Sequence, residues 1–224
     1  MDYDFDFEEI EALKARREAE LQACRRTRTD IDTMDTFTTG ARRGNEGDKP
    51  DFTLIDWPFV MSFDFLQKPI DINDAQWPDE VLAALVKVPS QPLGCVTVQM
   101  RLIAHAIVSA ETKDSGQTRL FGVWTPYALS RYAAWMTKGA DRYGRDNWRK
   151  GIPLSRYYRA LLRHFMAWVA GETVEEDSNG ERVDVDHFAA LIFNLCAIWW
   201  TLGAIKAGRL SAELIDFGLM GDDL

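Results

Sequence analysis

Residues 139–150 read GADRYGRDNWRK, a Gly-punctuated loop that carries Arg142, Arg145, Arg149 and Lys150 together with Asn147. Guanidinium and ammonium groups at that density offer many donors to phosphate oxygens, in a chain that is otherwise acidic. A nucleotide is the ligand class this chemistry suggests. Further on, His187 and Asn194 stand seven residues apart and share one helical face, with Ala190 between them leaving room beside both polar groups. His164 precedes Glu172 by eight residues, so antiparallel packing of two helices would aim both at one place. An unpaired amide or imidazole in an apolar bundle costs about 1–3 kcal/mol. Two readings follow: these residues tie helices together, or they hold a metal, a water cluster or a phosphate.

The elements that must position these groups are helices. Pro126 can occupy a first helical turn, and YALSRYAAWMTKGA then sets Leu129, Ala133 and Met136 on one face before Gly139. A second helix is predicted from just after Pro153, with Ser155 near its start, to about Ala170, where Gly171 is a natural stop. A third is predicted over 184–206. Its apolar residues, among them Phe188, Leu191, Leu195, Ile198 and Leu202, spread around much of the circumference, so it is expected to be central or to lie in an oligomer interface. The fold class expected is all-α.

The chain has 224 residues and a formal charge of −9, with a pI near 4.9, enough for one buried core with additions. That charge repels a polyanion, so long nucleic acid is not an expected partner. Cys24, Cys95 and Cys196 are odd in number and widely spaced, and no apolar leader or run of about 18 apolar residues is read; a cytoplasmic protein without a membrane partner is expected. Residues 1–37 read as a charged helical arm with a narrow stripe of Ile10, Leu13, Leu21 and Cys24, either solvated or partner-binding. Residues 38–60 form a Gly/Arg-rich segment expected to pack on the core, and 61–120 an inserted α or α+β module with a helix at about 78–87. Over 95–109 the pattern is double: Val96, Val98 and Met100 alternate like a strand, while Leu102, Ile103, Ala106 and Ile107 recur like a helix. His105 there reads as a core residue. Residues 121–210 are expected to be the core and 211–224 a tail.

Three motifs in register, GADRYGRDNWRKGIP, RHFMAWVAGE and DHFAALIFN, resemble the phage dATP/dGTP diphosphohydrolase family, similar in turn to the MazG-like all-α NTP pyrophosphohydrolases. The likeness is close over about residues 120–203. TGARRGNEGDKPDFTLID is similar to a segment such proteins carry before their first helix, which here is separated from that helix by residues 61–120; KDSGQTRLFG at 113–122 could be a second version of it. The resemblance implies a MazG-like bundle and a nucleoside triphosphate pyrophosphohydrolase. Its reaction would release pyrophosphate and a monophosphate from a purine deoxynucleoside triphosphate with Mg²⁺ or Mn²⁺. Tyr143, Gly144, Asn147, Trp148, His164, Gly171, Glu172, His187 and Asn194 match the family pattern, which often has a second histidine where this chain has Ala190.

MazG-like enzymes use Glu-x-x-Glu and Glu-x-x-Asp on successive helices. Here Glu172-x-x-Glu175 and Glu181-x-x-Asp184 have the spacing but flank a turn sequence, EDSNG, and read as a solvated loop, with Glu176 and Asp177 as minor candidates. The roles implied are Glu172 and Asp186 as cation ligands or water-activating base, and His187 and Asn194 orienting ligand or water. His164 joins the nucleotide-binding set with Asn147, and Arg145, Lys150 and Arg163 neutralise phosphate. Trp148 stacks on the base or belongs to the core. A homodimer or homotetramer acting on the host's deoxynucleotide pool is the expected setting, with Trp199 and Trp200 suited to an interface. The alternative is a non-catalytic nucleotide-binding or virion-associated protein on the same scaffold.

Overall fold

Fifteen of the twenty residues in the helix His187–Lys206 (α6) are buried, on every side, so this helix is the axis around which the others pack. The computed structural model describes residues 34–36, 42–44, 49–62, 70–113, 116, 117, 119, 122–176 and 179–216. They fall in two compact units, Met1–Lys49 and Pro50–Leu224. The first unit holds two antiparallel strands, β1 (Met34–Thr36) and β2 (Arg42–Gly44), with Asp35 opposite Arg43. The charged helix expected in the N-terminal arm lies outside the described residues.

In the second unit the chain runs through helices α1 (Trp57–Met61), α2 (Trp77–Lys87), α3 (Leu93–Thr112), α4 (Pro126–Tyr143) and α5 (Leu154–Val169). A hairpin of β3 (Val174–Glu176) and β4 (Arg182–Asp184) then leads into α6. Helices dominate, as the all-α expectation had it. Pro126 opens α4 behind Thr125, whose hydroxyl accepts from the Ala128 amide at 3.2 Å. The helix continues through Gly139, where the sequence suggested a stop, and ends at Gly144 with φ 87°. At the end of α5 the Glu172 amide donates to Ala167 O and the Gly171 amide to Trp168 O, the two bonds of a glycine-terminated helix, with Gly171 at φ 72°.

The double pattern at 95–109 resolves as helix. Val96, Met100, Ile103 and Ile107, spaced four, three and four, are buried while Val98 is exposed, which is a helical face. The residues expected to form an inserted module instead deliver α2 and α3 to the common core, where Leu85, Met100 and Ile103 join Phe188 and Leu195 of α6. Burying each such side chain contributes about 1.5–3 kcal/mol. Part of the expected 38–60 segment joins too, through Leu54, Phe59 and Val60. Contrary to the sequence reading, α3 and α6 are long and apolar enough to cross a membrane by composition; 50% and 78% of their most apolar windows are buried inside the protein, and a core helix meets the same criterion. Of the tail, Asp216 accepts from the Ser155 amide at 2.8 Å, serving the start of α5. Trp199 and Trp200 are also engaged within the chain, against Phe59 at 5.5 Å and Trp148 at 5.3 Å between ring centres.

Candidate active site

The loop after α4 is held by long-range ion pairs. Asp146 takes up the left-handed region at φ 56° and Gly151 at φ 102°, so the chain reverses twice around the short turn Asn147–Lys150. Arg149 donates to the buried carboxylate of Asp56 at 2.9 Å and covers the Trp148 ring at 4.8 Å. Asp56 also caps α1 through the Phe59 amide, so one carboxylate fastens the loop and a helix together. Trp148 is buried and edge-on to Phe193 and Trp200; it is a core residue that also lines the cavity below.

That cavity measures about 640 Å³, within the range of small-molecule sites. Its floor is Phe193 and Asn194 of α6 and Tyr157 of α5. Its walls are the end of α4, the loop at Asn147 and Trp148, and the hairpin at Glu175 and Val183–Val185. Four cations line it: Lys138, Arg142, Arg156 and Arg163. Lys138 and Arg156 form no ion pair among the described residues. Asn194 is buried, and its amide nitrogen donates to Ala190 O of its own helix at 2.7 Å. A carbonyl only accepts, so the amide orientation is forced, and the Asn194 side-chain oxygen is the acceptor available to the cavity.

Of the expected residues the structure brings Asn147, Trp148, Arg163, His164 and Asn194 to this cavity. It does not bring Arg145 or Lys150. Arg145 binds the Thr53 hydroxyl at 2.9 Å and pairs with Asp51 at 3.4 Å, and Lys150 reaches Asn147 Oδ1 at 3.4 Å outside the lining. Of the basic residues in one loop, Arg142 faces the cavity while Arg145 and Arg149 are turned to the chain by acids far away in sequence.

The expected carboxylate pair is likewise divided. Both oxygens of Asp186 are gripped by Arg131, at 2.6 and 2.7 Å, and Oδ1 also accepts from the Ala189 amide at 3.0 Å as the cap of α6. Arg131 bonds Glu111 as well, whose other oxygen accepts from the Trp168 indole at 2.9 Å. Burial works against the charge on Arg131, but hydrogen bonds and attraction from Asp186 and Glu111 outweigh it and raise its pKa. Glu172 is exposed past the end of α5 in an open groove with Met166 and Glu176 that shares Arg163 and Glu175 with the cavity. Asp186 is thus paired with Arg131, and Glu172 does not itself line the larger cavity.

Glu175, read from sequence as part of a solvated run, is the carboxylate that reaches the histidines. Its Oε1 lies 3.3 Å from His164 Nδ1 and 3.7 Å from His187 Nδ1, and those two nitrogens are 3.0 Å apart. The hairpin register, with Glu175 opposite Val183, sets it on the face opposite its neighbours Val174 and Glu176. Both imidazoles are buried. Burial is the main reason His164 is held neutral, its pKa pushed down to about 4; Glu175 pulls it up while Arg163 and His187 push it further down. The sequence offers one signal for Glu175, the Glu172-x-x-Glu175 spacing, which by itself reads as part of a solvated turn.

An all-helical core, a cavity lined by four cations and a buried histidine pair beside a carboxylate make up the candidate site. Residues 108–207 match the family model described as dATP/dGTP diphosphohydrolase, N-terminal, so this segment is similar to that family of nucleotide hydrolases. The match spans the end of α3 through α6, which includes nearly every residue lining the cavity. No curated protein and no solved structure matches the chain.

Proposed function

We propose that the protein hydrolyses a purine deoxynucleoside triphosphate, dATP or dGTP, to the monophosphate and pyrophosphate in a metal-dependent reaction. The observation that carries this reading is the cavity of about 640 Å³ with Lys138, Arg142, Arg156 and Arg163 around an apolar floor of Tyr157 and Phe193. Lys138, Arg142 and Arg156, which pair with no acid among the described residues, fit a ligand with several negative charges in a chain of net charge −9. The apolar floor suits the flat face of a base, and the Asn194 oxygen suits an amino or ring N–H donor on its edge, which adenine and guanine both carry.

When bound, a divalent cation would neutralise charge on the phosphates and make a water more acidic. The chain's own part is to hold the phosphates with the four cations, orient the base against Asn194, and present the Glu175 carboxylate beside the histidines. Glu175 takes the place in this reading that Glu172 and Asp186 held from the sequence. The same reading sets the protein in a cytoplasm, the host's if it is phage-encoded, as a homodimer or homotetramer that alters the deoxynucleotide pool.

The test is a screen of the four dNTPs and four rNTPs with Mg²⁺ or Mn²⁺, with products separated by chromatography. Release of pyrophosphate and monophosphate from dATP or dGTP is expected, lost in Glu175→Gln and kept in Glu172→Gln. Nucleotide binding without turnover would move the protein to the non-catalytic reading, and release of orthophosphate would overturn the bond assigned.

A further inference from the structure

Three donor atoms from three separate elements meet beside the cavity: His164 Nδ1 from α5, Glu175 Oε1 from the hairpin and His187 Nδ1 from the first turn of α6. Their mutual distances are 3.0, 3.3 and 3.7 Å. Ligands bound at about 2.0–2.2 Å in neighbouring positions around one ion stand about 3.0–3.5 Å apart, so two of the three distances already have the spacing of one side of a coordination shell and the third, His187 Nδ1 to Glu175 Oε1, is slightly wider. A hydrogen-bonded explanation serves them less well. One proton can lie between the two nitrogens, but the carboxylate oxygen is farther than an ordinary charge-assisted bond from both.

The surroundings point the same way. His164 and His187 are 5% and 2% exposed, which excludes bulk water from most of the cluster. The other nitrogen of His187, Nε2, is buried with no hydrogen-bond partner, so the polar interactions of that ring are concentrated on the Nδ1 side. The positive group now nearest the cluster is the Arg163 guanidinium, 3.4 Å from His164 Nε2 and 3.5 Å from Glu175 Oε1. Both contacts are long, and the Arg163 side chain is 59% exposed, so it can move away when a stronger cation arrives. His164 and Glu175 also line the cavity, which leaves the remaining coordination positions for water and for ligand oxygens.

We propose that His164, Glu175 and His187 form a mononuclear site for a first-row transition-metal ion, Mn²⁺ to Zn²⁺, in preference to Mg²⁺. The preference follows from the donors. Mg²⁺ favours an all-oxygen octahedron and gives up water reluctantly, whereas imidazole nitrogen suits the transition ions, with affinity rising from Mn²⁺ toward Cu²⁺ and Zn²⁺. Two imidazoles and one carboxylate leave room for exchangeable ligands, as a site that must meet phosphate requires. The inference deepens the proposed function, resting on it only for what the ion would face, and it is tested without nucleotide.

The full-length protein, stripped with a chelator, is titrated calorimetrically with MnCl₂, ZnCl₂ and MgCl₂. One Mn²⁺ or Zn²⁺ per chain is expected, with Mg²⁺ weaker by at least about tenfold. Glu175→Gln and His187→Gln should each weaken Mn²⁺ by at least about tenfold, and Glu172→Gln should bind as the parent does. Pulsed electron paramagnetic resonance of the Mn²⁺ complex should show coupling to imidazole nitrogen. Circular dichroism establishes that each variant is folded, and Glu175→Gln, on a surface hairpin, decides the case should His187→Gln unfold. Absence of stoichiometric Mn²⁺ or Zn²⁺ binding, Mg²⁺ binding as tight as Mn²⁺, unchanged affinity in Glu175→Gln, or a spectrum without nitrogen coupling would each overturn the site. A bound, nitrogen-coupled ion in a protein that hydrolyses nothing would retain the site and discard the reaction.

Discussion

Arg131 holds both carboxylate oxygens of Asp186, at 2.6 and 2.7 Å, and Asp186 in turn caps the helix whose first residue is His187. An acid that looks like a metal ligand in the sequence is thus a fastening for a histidine. Removing one partner leaves a partly buried charge without compensation. Arg131→Met is expected to lower unfolding stability by about 1–3 kcal/mol, below the cost of breaking a fully buried pair because both side chains keep some solvent contact. Asp186→Ala loses the helix cap as well, about 1 kcal/mol more, while Asp186→Asn retains it. Urea denaturation of the three variants and the Arg131→Met/Asp186→Asn double variant checks this; additive losses would show that the pair is not coupled.

The Asn194 oxygen should read the base. Asn194→Ala removes an acceptor from a buried position and is expected to reduce kcat/KM about 10- to 100-fold for nucleotides whose base carries an exocyclic amino group, in line with about 1–3 kcal/mol for a hydrogen bond in a dry site. dTTP, whose base has a ring N–H but no amino group, should lose less, so the ratio between substrates narrows. Equal losses for all four dNTPs would mean that Asn194 supports the helix only.

Lys138 and Arg156 are expected to matter for binding where Arg145 and Lys150 are not. Lys138→Ala and Arg156→Ala should raise KM several-fold, with a salt dependence shallower than the parent's. Arg145→Ala should leave KM near the parent value and cost about 0–1 kcal/mol of stability, since its partners are exposed. Steady-state kinetics at two ionic strengths distinguishes these cases, and a large KM effect confined to Arg145 would contradict the cavity lining.

The helices were legible because proline and glycine mark their ends: Pro126 and Pro153 at starts, Gly171 at a stop, with the all-round apolar character of 187–206 naming the central helix. The loop at 139–150 was legible as basic but not as to which cations face a ligand, because Asp51 and Asp56, more than ninety positions away, decide that for Arg145 and Arg149. Glu175 was missed for a related reason. A glutamate in an acidic turn has the local signature of a solvated surface, and only the hairpin register and the packing of α5 against α6 turn it toward two buried imidazoles. His164 and Asn194, which line the cavity, were legible as candidates because polar groups on apolar helix faces demand partners, whatever their identity.

The low pKa of His164, about 4 against an ordinary 6.5, predicts how stability depends on pH in the metal-free protein. Burial is the chief cause. Between these values the unfolded chain binds a proton at this position and the folded chain does not, so unfolding is favoured by acid. The contribution is complete above about pH 6.5, is lost progressively as pH falls toward 4, and levels off below that, with a total on the order of 1–3 kcal/mol. Acidic side chains away from His164 contribute the same slope to the parent and to His164→Gln, so the difference between the two proteins reports the imidazole together with Glu175 and His187, whose charges interact with it. Urea midpoints measured in chelator from about pH 4 to 7 should therefore converge in acid, with the parent gaining on the variant as pH rises. Parallel curves across that interval would mean that His164 binds its proton equally in the folded and unfolded chain, with Glu175 offsetting burial.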